Sequence, residues 1–298
     1  MNKVYVLPPR EDWIVDRFVK EWNEDNSDIS VHHPKDAQVV WLLADWCWER
    51  LWRSGALKDK KVITTVHHIV PEKFGHQQRQ EFDVRDKITT AYHVYNERTL
   101  DFIRPMTDKP VHFIKYWANQ KIWNVTESKS ELRKKYDIPE DGVKVIGSFQ
   151  RDTEGHDLKS PKLEKGPDLF ADYVGKLAEK PFVLLAGWRR QYVISRLETM
   201  GIPYKYFERP DQSTVNELYQ CLDLYVVSAR HEGGPQSLIE CGLTNVPVIS
   251  TPVGIAEQVL PSSAINVDLA KAEPAIPDVD SWKLPDGYLL YRKLINSL

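Results

Sequence analysis

Short apolar runs separated by longer amphipathic stretches recur along the whole chain. In the first half they fall at residues 3–7, 29–32, 39–43, 61–66, 87–92 and 111–116. The second half repeats the rhythm at 144–149, 182–186, 204–207, 224–227, 247–250 and 264–267. Most are rich in Val, Ile and aromatic residues and lack polar alternation, the pattern of parallel strands covered on both faces. Helix-like segments lie between them at 12–22, 96–103, 128–136, 167–177, 191–200 and 213–222. Ser213, with Asn216 three residues on, reads as a weak N-cap.

Alternating strands and helices imply right-handed crossovers and an α/β fold. Two sets of six strands predict two Rossmann-like units facing a cleft, where ligands bind at the carboxyl ends of the strands. The expected division is 1–118, 119–284 and a C-terminal segment, 285–298, whose helix packs back on the first unit. Residues 151–165 read as a long exposed loop, and 270–287, with Pro274, Pro277 and Pro285, as an extended tail.

Composition narrows the function. Among 298 residues, 40 Lys and Arg oppose 43 Asp and Glu, which argues against a basic field for nucleic acid. Cys47, Cys221 and Cys241 form no C-x-x-C pair, so neither a disulfide framework nor a zinc site is expected and a reducing cytoplasm fits. The start reads as no signal peptide. The longest apolar stretch, 39–44, is far short of the ~20 residues that span a bilayer. Ten Trp are unusual, and core packing is their first expected use.

The chemistry concentrates in SARHEGGPQSLIECGLTNVPVISTPV, residues 228–253. A strand, then Gly233-Gly234, then Pro235 and Gln236 opening a helix, aims free N–H groups and a positive helix end at one point, suited to a phosphate. Glu240 lies among apolar and small residues, where an unpartnered carboxylate costs several kcal/mol. Either a neighbouring Lys or Arg pairs with it, or it accepts hydrogen bonds from a ribose diol, as the acidic residue of a dinucleotide site does. Glu232, seven residues separating it from Glu240, faces the same ligand from its other end.

Those two glutamates, the glycine turn after the first and the small-residue helix around the second resemble retaining glycosyltransferases of the GT-B fold, family four above all. The stretch EGGPQSLIECGLTNVPVISTPVGIAEQV is similar nearly position by position, down to Pro247, Gly254 and Glu257. The likeness is specific over residues 217–267 and rests on topology in the first unit. It implies a metal-independent enzyme without a cofactor, moving a hexose from a nucleotide-diphosphate sugar, with UDP or GDP as carrier, to a hydroxyl acceptor. That acceptor is a glycan, a lipid-linked molecule or a small molecule, taken by the first unit. It also implies Arg151 and Lys165 on the diphosphate, with Lys159 or Lys162 as alternatives across the long intervening loop, because negative charge grows on the leaving group. His67, with His68 second, falls beside the donor sugar, and the segment ending at Arg209 falls where the family holds the nucleobase. The first loop departs from the family: Pro8-Pro9-Arg10-Glu11 stands where many members carry Gly-Gly. A GT-B epimerase and a non-catalytic nucleotide-sugar or glycan-binding protein stay open as alternatives.

Other signals weigh less. Asp278-Val279-Asp280 looks like a metal-binding D-x-D but sits in the Pro-rich tail, and the His pairs lack helical zinc spacing. G-x-S-x-G and Walker A sequences are missing, and PPRED follows the first strand where G-x-G-x-x-G would sit in a nicotinamide site. The basic clusters 58–61, 133–135 and 189–190 fit a weak membrane-surface contact or plain solvated faces.

Overall fold

The computed structural model describes every residue except 12, 13, 141 and 156. The chain forms two compact units: Met1–Tyr116 with Gly287–Leu298, and Trp117–Asp286. The first holds the parallel strands β1 (Val4–Val6), β2 (Val39–Leu42), β3 (Lys61–Val66), β4 (Ala91–Val94) and β5 (Val111–Phe113), in that order across the sheet. Ser30 adds one parallel bridge to Val4. Val4 also pairs with Val39 of β2, so the chain steps out to one flank of β1 and then crosses to the other. Such a reversal opens a crevice at the carboxyl ends of the two flanking strands.

The second unit holds β6 (Val145–Ser148), β7 (Phe182–Gly187), β8 (Tyr204–Glu208), β9 (Leu224–Val227) and β10 (Val248–Ser250), all parallel and ordered β10-β9-β6-β7-β8. Here the reversal lies between β6 and β9. Ile146, Val183, Leu185, Leu224 and Val226 from the sheet pack with Phe170, Val174, Val193 and Leu197 from two helices. These near-continuous apolar strands fit a sheet covered on both faces.

Several expectations change. Each sheet has five strands, not six. The run at 29–32 makes a single bridge before Pro34 opens a 3-10 turn, and the run at 264–267 becomes a 3-10 turn with one bridge, Ser250 to Ile265. The run at 87–92 starts inside a helix end. Ile88 and Thr89 donate back to the Arg85 carbonyl, and only Ala91–Val94 enters the sheet. The preceding helix, His76–Asp86, has a polar sequence with Phe82 as its buried residue, so its apolar periodicity is faint. The helix expected at 213–222 is Gln212–Gln220, and its cap is Asp211, which accepts from the Thr214 amide at 2.8 Å; Ser213 is not the cap. The helix expected at 12–22 is described as Ile14–Asp25, its first two residues lying outside the described ones. The tail is less extended than expected, with 3-10 turns at Leu269–Lys271, Asp280–Trp282 and Asp286–Tyr288.

The C-terminal helix Leu289–Ser297 belongs to the first unit and buries Tyr291, Leu294 and Ile295. Tyr288 and Tyr291 meet Trp22 edge-on, and Tyr291 also lies 5.3 Å from Trp41. The Tyr291 hydroxyl donates to the Lys115 carbonyl at 2.8 Å, and the Arg292 guanidinium grips Asp28 through both nitrogens. Among the described residues six Trp are buried: Trp22, Trp41 and Trp48 in the first unit, and Trp117, Trp123 and Trp282 in the second.

Beneath this helix His93 is fully buried, its Nδ1 against Thr65 Oγ1 and its Nε2 against the Ile114 carbonyl. Burial, foremost, pushes its imidazole down to about 3. The folded state thus refuses a proton that the unfolded chain accepts below the ordinary value of 6.5. Stability is therefore full above pH 6.5 and declines as the pH falls toward 3. Between pH 6.5 and 5 the loss is about 2 kcal/mol. Urea midpoints measured at pH 7 and 5 should separate for the wild type and converge for His93→Gln.

Candidate active site

The site assembles at the reversal of the second sheet, where the chain leaves β6 and β9. Loop 162–166 is laced to the segment after β9. The Glu164 carbonyl accepts the amides of Arg230 (2.7 Å) and His231 (3.1 Å). The Lys165 carbonyl accepts Gln150 Nε2 at 2.8 Å, and Ser228 Oγ approaches it at 3.4 Å. Arg230 adds a two-pronged ion pair to Asp168 (2.8 and 2.6 Å) and a bond to the Leu163 carbonyl. Gly166 makes this approach feasible. It adopts φ +60° as cap of the helix Pro167–Gly175, and a Cβ there would stand 1.8 Å from the Ser228 carbonyl oxygen. Gly254, at φ +56°, plays the same part on the other side: a Cβ would meet Pro235 Cδ at 2.8 Å and the Glu232 and Gly233 carbonyls at 3.1 Å.

This lacing brings together two residues singled out by sequence. Lys165 Nζ bonds Glu232 Oε1, and both side chains are about one-fifth exposed. Gly233 and Gly234 follow directly. Pro235 is the N-cap of the helix Gln236–Leu243 (φ −54°, ψ 110°) and not its first residue, so the Gln236 amide opens the helix. Gln236 Nε2 reaches the Gly234 carbonyl at 3.3 Å. Glu240 sits one turn further on, 7% exposed, accepting from the Tyr219 hydroxyl at 2.7 Å. The tyrosine belongs to an aromatic group, Phe149, Tyr219, Tyr225 and Trp123, that floors this end of the sheet. Burial, foremost, and the Glu240 charge raise the Tyr219 phenol far above its ordinary range. It stays protonated and serves as a fixed donor to the carboxylate.

The cations gather at the ends of β6, β7 and β8. The guanidiniums of three arginines gather over the Trp188 ring: Arg189 at 4.3 Å, Arg209 at 4.5 Å and Arg151 at 5.4 Å from the ring centre. Arg151 Nε also bonds the Thr153 carbonyl at 2.8 Å. Burial and then the nearby Arg189 lower the Arg151 guanidinium, and burial and then Lys165 and Arg151 lower the Lys162 ammonium. Like charges held this close are relieved by an anion. Below them Arg190, wholly buried, pairs with buried Asp152 at 3.1 Å and donates to the Ser148 and Ala186 carbonyls, tying the ends of β6 and β7. Desolvation raises the Asp152 carboxyl. The stretch 151–165 is therefore no simple exposed loop. Asp152 is buried against Arg190, and Thr153, buried with its hydroxyl 3.4 Å from the Arg189 carbonyl, bridges Pro161. Lys159, the other alternative, lies on its exposed outer part.

His67 follows β3 in the first unit. Its Nε2 lies 2.8 Å from the Leu43 carbonyl and its Nδ1 3.5 Å from the Tyr116 hydroxyl, over a stacked Tyr95–Tyr116 pair. His68 is exposed beside it. Among the described residues no cluster of three or more His, Cys, Asp or Glu could hold a metal ion, and Asp280 pairs with Lys283 at 2.6 Å.

Sequence reasoning missed Tyr219, Trp188, Arg190 and the Arg230–Asp168 clamp. Tyr219 lies 21 positions before Glu240, too far for any local pattern to join them. Trp188-Arg189-Arg190 directly after a strand was the available signal for Trp188 and Arg190.

No protein-family model matches the sequence, and no curated protein matches it. Solved structures do match the fold, which is that of GT-B glycosyltransferases, with two parallel α/β sheets. The structure of Anabaena HepE in complex with UDP and glucose aligns with a TM-score of 0.72 at 10% identity, covering 88% of this chain and 84% of that one. WaaG, a glycosyltransferase of lipopolysaccharide biosynthesis, aligns at 0.60 with 13% identity over 84% of this chain and 81% of its own. Sucrose-phosphate synthase from Thermosynechococcus elongatus aligns at 0.60 with 14% identity, covering 87% and 66%.

Gly166→Ala should cost more than about 2 kcal/mol, combining left-handed strain with displacement of the Ser228 carbonyl. Gly155 has the same φ, with nothing within 4 Å of a Cβ. Gly155→Ala should therefore lose only the strain of about 1 kcal/mol. Urea unfolding of both variants separates close approach from backbone preference.

Proposed function

We propose that this chain is a metal-independent retaining glycosyltransferase that moves a hexose from a nucleoside-diphosphate sugar to a hydroxyl acceptor. The observation that carries the reading is the meeting of Lys165 with Glu232 at the reversal of the second sheet, one helical turn from the start of the helix bearing Glu240. A carboxylate and an ammonium there suit the two halves of a nucleotide sugar. HepE, crystallised with UDP and glucose, supports a UDP-sugar as the donor to try first.

In this reading Glu240, fixed by Tyr219, accepts both ribose hydroxyls. Gly233, Gly234, Pro235 and Gln236 border the phosphates and sugar with backbone amides. Lys165, Arg151 and Lys162 meet the diphosphate, whose two phosphates outcompete the single Glu232 carboxylate for the Lys165 ammonium. Released, Glu232 orients the sugar hydroxyls and steadies positive charge at the anomeric carbon. Arg209 lies against Trp188, where the base is held. As the bond from the anomeric carbon to the phosphate oxygen breaks, the acceptor oxygen bonds that carbon from the same face. Its proton passes to the departing phosphate oxygen.

Glu240→Ala should raise the UDP dissociation constant about tenfold or more by calorimetry, since two charge-assisted hydrogen bonds are lost. An unchanged affinity removes the ribose role. Lys165→Ala should lower turnover about a hundredfold, with a smaller change in donor KM, because its partner gains charge in the transition state. Donor that binds but yields no UDP with any acceptor would make the chain a binding protein, and interconversion of free donor would make it an epimerase.

A further inference from the structure

The carboxyl ends of β1, β2 and β3 bring together Glu11, Trp46 and His67, and the donor chemistry uses neither Glu11 nor Trp46. After β1 the chain runs through Pro8–Glu11, and this loop is pinned. The Arg50 guanidinium bonds the Pro8 carbonyl, and Asp16 accepts the amides of Arg10 (3.0 Å) and Glu11 (2.8 Å). After β2 comes Trp46, 48% exposed, in a turn whose Asp45 pairs with Arg85 at 3.2 Å. The Trp46 indole Nε1 donates to Glu11 Oε1 at 2.9 Å. After β3 comes His67, its ring 5.9 Å from that of Trp46. A large aromatic ring left half in solvent costs hydrophobic free energy, and here its edge is also fixed by a carboxylate across 35 residues of chain. The outcome is a flat apolar face held at a fixed tilt, with a carboxylate and an imidazole at its border.

We propose that Trp46 is the platform on which the acceptor stacks, and that the acceptor is a saccharide. This rests on the glycosyltransferase reading and narrows its acceptor. A pyranose has one face of C–H groups and a rim of hydroxyls. The C–H face matches the indole, and the rim matches Glu11 and the His67 border. Among the described residues the ring is bordered by a carboxylate and an imidazole, which suits a rim of hydroxyls better than an acyl chain, for which contiguous apolar area is needed. The location agrees, because β1 and β2 flank the reversal of their sheet, where open α/β sheets take ligands. The loop Pro8–Glu11 thereby gains a role: in place of glycines that let a ligand approach the backbone, it supplies the residue that aims the indole.

Saturation-transfer NMR on the full chain with UDP present, using maltose, diacetylchitobiose and sucrose as probes, tests this. At least one disaccharide should receive saturation on the C–H protons of one ring face. Trp46→Ala should weaken that binding about tenfold or more, Trp46→Phe should retain most of it, and Glu11→Gln, which keeps an acceptor for the indole, should do likewise. UDP affinity, measured on the same samples, should stay within about twofold throughout, and it reports the donor reading separately. Failure of UDP to bind while the disaccharide effect persists would sink the donor assignment and leave the platform standing. Saccharide binding indifferent to Trp46→Ala, no saturation of any disaccharide, or Trp46-dependent binding to phosphatidylglycerol vesicles in place of sugar would each overturn the proposal.

Discussion

The approach of Gly166 to the Ser228 carbonyl is the contact on which the second unit's chemistry depends. Only a residue without Cβ lets loop 162–166 lie flat against the chain leaving β9. Once it does, the Glu164 carbonyl can take two amides and Lys165 can face Glu232. The two loops come from opposite sides of the sheet reversal, 67 residues apart for the ion pair itself. Gly254 holds the far side of the same turn against Pro235. Glycine here serves packing density more than flexibility, and the geometry of the candidate site is inherited from backbone contacts that any side chain would break.

A second constraint sorts charges by depth. Asp152 and Arg190 point inward and bind each other and the strand ends, while their chain neighbours Arg151 and Arg189 turn outward over Trp188. A buried pair of this kind adds little net stability, but removing either partner strands the other in the core. Its value lies in fixing where the outer guanidiniums stand. Glu240 follows the same logic with a neutral partner. The Tyr219 hydroxyl donates to its carboxyl group and supplies one of the hydrogen bonds that burial demands.

The strand rhythm and the α/β class were legible because buried parallel strands leave continuous apolar runs, as in Val183–Leu185 and Leu224–Val227. The reach failed where local chemistry was ambiguous. Ile88 and Thr89 look like strand but close a helix, and the helix His76–Asp86 buries little besides Phe82, so its period is weak. At the site, Glu232, Glu240, Gly233 and Gly234 stood out because they lie within one short segment with an unusual mixture of acid and small residues. Lys165 needed the resemblance. Tyr219 and the Arg230–Asp168 clamp were invisible, since each acts across at least 21 residues and no spacing rule joins them.

The first unit is built from both ends of the chain. Residues Gly287–Leu298 return to it after the entire second unit has been made, and they supply Tyr288 and Tyr291 to Trp22 and Trp41. During synthesis, therefore, an emerging first sheet waits on the ribosome with those indoles uncovered while its neighbour is translated. Its completion waits on residues 287–298, and a chain stalled anywhere before residue 287 displays a sticky aromatic surface that chaperones and proteases can read as unfinished.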